Sequence, residues 1–373
     1  MLEKKLIIFG GSFDPIHKNH VRIALKAFKK IKADKLFFVP CGNHPHSKKI
    51  SALNDQRIEM IKLAIRGYPR FEICDYETKN KNASYTIDTI EYFKKNFQDY
   101  KLYLLIGFDQ LIKFKKWYRY EEILKQATIL CHCRFINKSN IAPNNSDFDD
   151  SNKIFETKKK QNKYQLVPFI PIGWFDILMY RNVCSSKLRI KPNKIDLNKD
   201  VLNYINENGI YAVNRLKKVM SEYRLAHSIR VANIAVELAK SLKYYSLIKK
   251  AYVAGIYHDY AKEYDRKIQE NFFTKLKIKY FKYPSWKVIH GPLGAYEVKK
   301  KFFIDDIQIL NAIKNHTIPN EFHPLTKIIY CADKLDIRHD GQIDNHKEIY
   351  ELCKKDIDAG FKMIIDQLNK GKQ

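Results

Sequence analysis

Gly10-Gly11-Ser12-Phe13-Asp14-Pro15-Ile16-His17-Lys18-Asn19-His20 stands between two patterned segments. Leu6-Ile7-Ile8-Phe9 before it is a short apolar run of strand type. Val21-Arg22-Ile23-Ala24-Leu25-Lys26-Ala27-Phe28 after it is apolar at helical spacing. Strand, glycine-rich turn and helix in that order put backbone N–H groups and a helix N-terminus at the carboxyl edge of a sheet, a ready anion site. His17 and His20, three apart at the helix entry, can donate hydrogen bonds to phosphate oxygens; as a metal pair they would lack a third ligand nearby. The string matches neither the dinucleotide pattern GxGxxG nor the phosphate loop GxxxxGK[ST].

The stretch resembles the GxFDPxHxxH signature of nucleotidylyltransferases, in the form found in bacterial nicotinate-mononucleotide adenylyltransferases. One position departs, with Asn19 where that family has Gly; Asn tolerates unusual backbone angles better than most residues. The resemblance implies that Gly10, Gly11, Ser12, Phe13 and Asp14 bind ATP, escorted by Mg²⁺, and that His17 and His20 serve catalysis.

Working outward, Lys35–Pro40 reads as a second strand, so the chain opens with a βαβ unit. The loop His44-Pro45-His46-Ser47-Lys48-Lys49 resembles the family's Pro-His-Lys element with Ser47 inserted, which implies that His46 and Lys48 face nucleotide phosphates; a solvated basic loop is the plainer reading. Asn54 opens an amphipathic helix with N-cap chemistry, and Phe71–Cys74 and Lys101–Ile106 read as strands. Ser84-Tyr85-Thr86 opens a further helix, and Ile106-Gly107-Phe108-Asp109-Gln110-Leu111 leads toward Trp117. These resemble the family strings SYT and IGxDxLxxFxxW, implying that Thr86, Gly107, Asp109 and Trp117 line the nicotinate and ribose pocket. Ile129–Arg134 reads as a fifth strand, in which burial explains Cys131 and Cys133 better than a metal does.

Residues 137–163 turn polar and read as a mobile insertion. Cys184-Ser185-Ser186-Lys187-Leu188-Arg189 resembles the family's ISSTxIR, with Lys187 in place of Thr. Ser185, Ser186 and a catalytic Arg189 would then form a second phosphate clamp. Residues 201–211 resemble the closing helix of such a domain. The expected first domain is therefore residues 1–213, an α/β Rossmann-like nucleotidylyltransferase fold with a parallel sheet and helices on both faces.

From Arg215 the pattern is helical, and an all-α domain is expected over 214–373. His227, His258-Asp259, His290, His316 and Asp333 each interrupt an apolar segment. Any one alone is more often a satisfied core polar group than a ligand. The series, with the strings HxxRVA, HDxxK, HGPLGA, NHT and ADKLDxxR, resembles HD-domain metallohydrolases of the branch that splits diadenosine tetraphosphate symmetrically. By that resemblance His227, His258, Asp259 and Asp333 hold one metal, and His290 and His316 hold a second with Asp259 bridging and acting in catalysis. Lys262, as a catalytic cation, and Arg338 are the implied phosphate contacts. Imidazole and carboxylate without thiolate suit a dinuclear site of Fe²⁺, or Mn²⁺ or Co²⁺. Such a pair draws a nucleophile from water and screens phosphoryl oxygens.

Composition narrows the classes. At 373 residues two domains are the better expectation. No apolar run approaches a membrane span, and Leu6–Phe9 is too short for a secretion signal core. Seven cysteines without a CxxC pair point to reduced thiols in a cytoplasm. The formal charge of +27 raises nucleic-acid binding, but Lys is scattered through every segment without clusters of Arg and aromatics, and attraction of anionic nucleotides is a sufficient use for it. ATP, nicotinate mononucleotide and diadenosine tetraphosphate are the expected small-molecule partners, with no nucleic acid and no membrane; a homo-oligomer stays open. Two alternatives stand: a first domain that prefers the amide mononucleotide, and a helical domain that acts on another nucleotide or only binds one as a regulatory module.

Overall fold

The computed structural model describes residues 3–42, 50–80, 84–111, 113–132, 166–169, 183–276, 288–318, 323–336 and 345–370. Six strands, β1 (Lys4–Gly11), β2 (Lys35–Pro40), β3 (Phe71–Ile73), β4 (Tyr100–Gly107), β5 (Ala127–His132) and β6 (Leu166–Phe169), form one sheet. Their order is β3-β2-β1-β4-β5-β6, and every pairing is parallel. The helices of this part are α1 (Lys18–Ile31), α2 (Asn54–Ile65), α3 (Tyr76–Lys79), α4 (Thr86–Asn96), α5 (Phe108–Leu111), α6 (Tyr120–Gln126) and α7 (Ser185–Ile190).

Alternation along the strands explains why both faces are covered. Leu6, Ile8, Phe37, Leu102 and Leu104 point to the face where Ile87, Ile90 and Phe93 of α4 and Ile123 of α6 complete a core. Phe37 meets Phe93 at 5.1 Å between ring centroids. On the other face Phe38 meets Phe71 at 5.9 Å, and Phe71 meets Phe28 of α1 at 5.4 Å. The sheet order reverses between β1 and β4, so their carboxyl ends, at Gly11 and Gly107, flank the place where open parallel sheets bind ligands. All five strands expected from the sequence are present, and β6, where the apolar pattern resumes at Leu166-Val167-Pro168, adds the sixth.

The chain then continues through α8 (Lys199–Glu207), α9 (Ala212–Leu216), α10 (Glu222–Ser241), α11 (Ile248–Tyr257), α12 (Arg266–Leu276), α13 (His290–Phe302), α14 (Ile307–Asn315), α15 (Pro324–Lys334), α16 (His346–Lys355) and α17 (Ile357–Lys370). One apolar core joins α9 to α11 and α13 to α17, built on residues such as Leu216, Val231, Ala235, Ile256, Ile313, Ile328 and Ile364, while Phe272 of α12 packs in a smaller cluster with Ala261, Ile289 and Leu293. Two compact units result: Met1–Leu188 with Lys194–Val201, and Arg189–Asn193 with Leu202–Gln373. The expected boundary at 213/214 therefore lies inside the helical unit of this division, because Ala212 and Leu216 belong to the helical core.

Two glycines let ligand-bearing helices approach. A Cβ on Gly255 of α11 would stand 2.7 Å from Cα of Ala232 on α10, and one on Gly291 of α13 would stand 2.7 Å from the Lys314 carbonyl of α14. Each lies within three residues of a histidine of the site described below. Among the described residues, no helix is long and apolar enough to cross a membrane.

Candidate functional site

In the sheet-bearing unit, α1 begins directly after the quoted loop, with His17 as its N-cap. The His17 backbone N–H donates to Nδ1 of His20 at 3.2 Å, and the two rings stack. With Nδ1 accepting, the neutral His20 ring carries its proton on Nε2, the atom suited to donate to an anion. Ser12, Phe13 and Asp14 take different places. Phe13 is buried and packs on Phe9, Phe38 and the His20 ring at 5.6, 5.5 and 5.2 Å. The Asp14 carboxylate, also buried, accepts from the backbone N–H groups of Ser51 and Ala52 at 2.9 and 3.1 Å. Both side chains thus shape the loop from inside. Asn19 lies in the first turn of α1 and needs no left-handed backbone, so the tolerance invoked for it is not used.

Arg57 of α2, which sequence reasoning passed over, fixes the same loop. Fully buried, it donates from Nη1 to the Ser12 carbonyl at 2.9 Å and from Nη2 to the Cys41 carbonyl at 2.6 Å, tying the carboxyl ends of β1 and β2 together. Ser185 Oγ donates to the Pro15 carbonyl at 3.0 Å, which joins the start of α7 to the loop, while Ser186 Oγ meets Cys184 Sγ at 2.8 Å. Arg189 is counted with the helical unit, where its carbonyl accepts from Arg215 Nε at 3.2 Å.

At the neighbouring strand end, Gly107 closes β4 and exposed Asp109 lies in α5; a Cβ on Gly107 would stand 2.6 Å from Asp109 Oδ1. Thr86 opens α4, and Trp117 is half-buried against Phe114 at 5.1 Å. His46, Lys48 and Arg338 lie outside the described residues, as does the stretch 137–163.

The helical unit gathers all six expected ligands in one buried cluster. His227 comes from α10, His258 and Asp259 from the end of α11, His290 from the start of α13, His316 from the end of α14 and Asp333 from α15. His227, His258 and Asp259 form one group and Asp259, His290 and His316 another, each with ligand atoms within 4.8 Å of one another. Asp259 is shared: Oδ2 is 3.7 Å from Nε2 of both His227 and His258, while Oδ1 is 3.1 Å from Nε2 of His290 and 3.5 Å from that of His316. Asp333 Oδ1 lies 3.1 Å from His227 Nε2 and 3.6 Å from His258 Nε2.

The outward nitrogens decide which way the rings face. Nδ1 of His258 meets the Gly255 carbonyl and Nδ1 of His316 the Ile313 carbonyl, each at 2.7 Å. His227 Nδ1 meets Asp336 Oδ2 at 2.7 Å, and Arg230 holds that carboxylate with two bonds of 2.6 and 2.9 Å. Each of these three contacts places the ring proton on Nδ1 and leaves the Nε2 lone pair aimed inward, the state a divalent ion requires. Burial presses His290 down to about 4, which keeps it an unprotonated donor. Nitrogen and oxygen donors in this arrangement fit a pair of divalent ions sharing one carboxylate.

Around the cluster stand cations. Lys262 Nζ is 3.4 Å from His290 Nδ1, Arg224 Nη1 is 2.7 Å from Asp259 Oδ2, and Lys334 Nζ is 2.9 Å from Asp333 Oδ2. Sequence reasoning named Lys262 alone of these three and gave no role to Asp336. The signals were present: Arg224 is one helical turn before His227, and Asp336 lies within the quoted ADKLDxxR string.

Fold and site define a nucleotidyl-transfer domain joined to a metal-dependent helical one. The cytidylyltransferase-like family matches residues 8–189 and the HD domain family residues 224–338. A Mycoplasma genitalium protein named "Probable nicotinate-nucleotide adenylyltransferase/Ap4A hydrolase" is 38% identical over 95% of this chain and 93% of its own length. A Mycoplasma pneumoniae protein of the same name is 31% identical over 96% and 97%. The chain belongs to the family of these two-domain proteins. A Clostridium tetani protein named "Probable nicotinate-nucleotide adenylyltransferase" is 35% identical over 56% of this chain and 99% of its own length.

Proposed function

We propose that the chain is a bifunctional nucleotide enzyme. The first unit transfers the adenylyl group of ATP to nicotinate mononucleotide, giving nicotinate adenine dinucleotide and pyrophosphate. The helical unit cleaves diadenosine tetraphosphate into two ADP. The observation that carries the reading is the end-to-end likeness to relatives bearing both names, together with two buried donor groups that share Asp259 and have Asp333 beside the first.

In adenylyl transfer the nucleophile is a phosphate oxygen of the mononucleotide. It bonds to the α-phosphorus of ATP as the bond to pyrophosphate breaks, so no covalent catalyst is needed. The chain has to hold two mutually repelling anions in line and offset charge in the transition state. The start of α1 offers its dipole, and His20 Nε2 a donor, at the carboxyl edge of β1. Asp109 and Trp117, beyond the adjacent strand end, suit the pyridine side of the substrate. Mg²⁺ would accompany ATP.

In the helical unit His227, His258, Asp259, His290, His316 and Asp333 would hold two divalent ions, Fe²⁺ or else Mn²⁺ or Co²⁺. When bound, these supply a nucleophile from water at neutral pH and offset phosphoryl charge. Asp336 and Arg230 orient His227, and the carbonyls of Gly255 and Ile313 orient His258 and His316. A cytoplasmic setting agrees with Cys41, Cys74, Cys131, Cys184, Cys331 and Cys353, all free thiols.

Chromatography of products tests the reading, after incubating the pure full chain with ATP and each mononucleotide, and separately with diadenosine tetraphosphate. The acid dinucleotide in the first reaction and ADP alone in the second are expected. A helical unit that binds diadenosine tetraphosphate without turnover in the presence of Mn²⁺ or Fe²⁺ would instead be a regulatory module.

A further inference from the structure

We infer that Arg224 and Lys334 are the phosphate-binding cations of the helical site, holding its two carboxylates until divalent ions take them and the substrate's polyphosphate thereafter. The inference rests on the metallohydrolase reading above and deepens it by naming the groups that receive the substrate's charge.

Both cations sit on carboxylates that the metal donor set needs. Arg224 Nη1 lies on Asp259 Oδ2, the oxygen also facing His227 and His258, and Lys334 Nζ lies on Asp333 Oδ2. The two side chains are mostly buried, 16% and 19% exposed. The other carboxylate paired with Arg224 among the described residues is the more distant Glu263. Arg224 Nε is buried without a hydrogen-bond partner among the described residues, the nearest carboxylate oxygen, Glu263 Oε1, being 3.6 Å away. Glu263 is itself engaged by the backbone N–H and hydroxyl of Ser221, at 2.7 Å each.

Divalent ions that draw on Asp259 and Asp333 therefore weaken the counter-charge of two largely desolvated cations, leaving Arg224 only its longer pair with Glu263 among the described residues. Such a charge is strongly unfavourable unless a new anion meets it. The Arg224 fork matches two phosphate oxygens at once, and the Lys334 ammonium serves as a point charge beside it. The balance suits a long polyphosphate. Two divalent ions outweigh the two carboxylates, and Arg224 and Lys334 add to that excess. A tetraphosphate bridge brings one negative charge on each phosphate to meet it. Neither residue touches a histidine Nε2 in a way that would help build the metal donor set, so their removal separates anion binding from metal binding.

The test uses the full chain stripped of metal, titrated calorimetrically with Mn²⁺, and then the Mn²⁺-loaded chain titrated with inorganic tripolyphosphate. Arg224→Gln and Lys334→Gln are each expected to bind Mn²⁺ at least as tightly as the wild type, because a competitor for a ligand carboxylate is gone. Each should bind tripolyphosphate about tenfold or more weakly, the scale of one lost charge-assisted hydrogen bond. Arg224→Lys should fall between. Weaker Mn²⁺ binding in folded variants, or unchanged tripolyphosphate binding, overturns the inference. Circular dichroism monitors folding, and Lys334→Gln, on a different helix, carries the test if Arg224→Gln does not fold. A wild type that binds tripolyphosphate through these residues only when loaded with Mn²⁺, yet leaves diadenosine tetraphosphate intact, would uphold the inference while removing the hydrolase reading.

Discussion

His17 and His20 stack face to face, with ring centroids 3.6 Å apart and planes inclined by 17°, while the backbone N–H of His17 occupies Nδ1 of His20. A helix N-cap has thereby been turned into a device that fixes a tautomer. The proton that remains on His20 is the one a phosphate oxygen can receive as a hydrogen bond.

His20→Ala should lower adenylyl transfer by roughly two to three orders of magnitude, the scale of one lost transition-state donor. His17→Ala and Arg189→Ala should be impaired similarly. Steady-state rates with ATP and nicotinate mononucleotide check this. Wild-type turnover in a folded His20→Ala protein would remove the phosphate site from this helix start.

The acid mononucleotide should be used with higher kcat/KM than the amide. The ground is the likeness of Ile106–Leu111 and Trp117 to the string IGxDxLxxFxxW of bacterial nicotinate-mononucleotide adenylyltransferases. Competition between the two substrates decides it, and a preference for the amide would call for another role for Asp109.

Asp259→Asn should abolish hydrolysis of diadenosine tetraphosphate and reduce bound metal, since both donor groups share that carboxylate. Adenylyl transfer should stay nearly intact, because residues 10–20 and Asp259 belong to separate compact units. Chelation followed by Mn²⁺ or Fe²⁺ should restore the wild-type hydrolase. Equal yields of ATP and AMP in place of ADP would show attack at a different phosphorus.

Glu77 should make the first unit lose stability as pH rises. Its carboxyl accepts from Thr89 Oγ1 at 2.7 Å, and burial pushes it up to about 7 from an ordinary 4.5. The folded chain then holds a proton that the unfolded chain releases, so stability is complete below about 4.5 and falls as pH climbs through about 7. Glu77→Gln should flatten that fall, by on the order of 3 kcal/mol at most. Urea midpoints of both proteins from pH 5 to pH 8 give the comparison; a constant gap between them across that range would mean Glu77 is ionised throughout.

Much of this molecule is written locally. Continuous apolar runs in β1, β2 and β4 determined a sheet covered on both sides, and the glycine turn before Lys18 determined a helix start at its carboxyl edge, because both depend on neighbours a few residues away. The series of His and Asp residues, through its resemblance, named six candidate ligands, since a donor set leaves its residue types in the sequence whatever the fold between them. Tertiary structure alone decided the rest. Phe13 and Asp14 carry the motif yet point inward, because the rings of Phe9 and Phe38 and the backbone of Ser51 and Ala52 close over them. Leu202–Leu216 joins the helical unit by contacts with α11 and α13, such as Arg215 to Tyr257 and Asn206 to the Phe302 carbonyl, not by any change in composition. Asp336 reaches His227 across 109 residues of chain, and Arg224 reaches Asp259 across 35, distances that only a closed core can span.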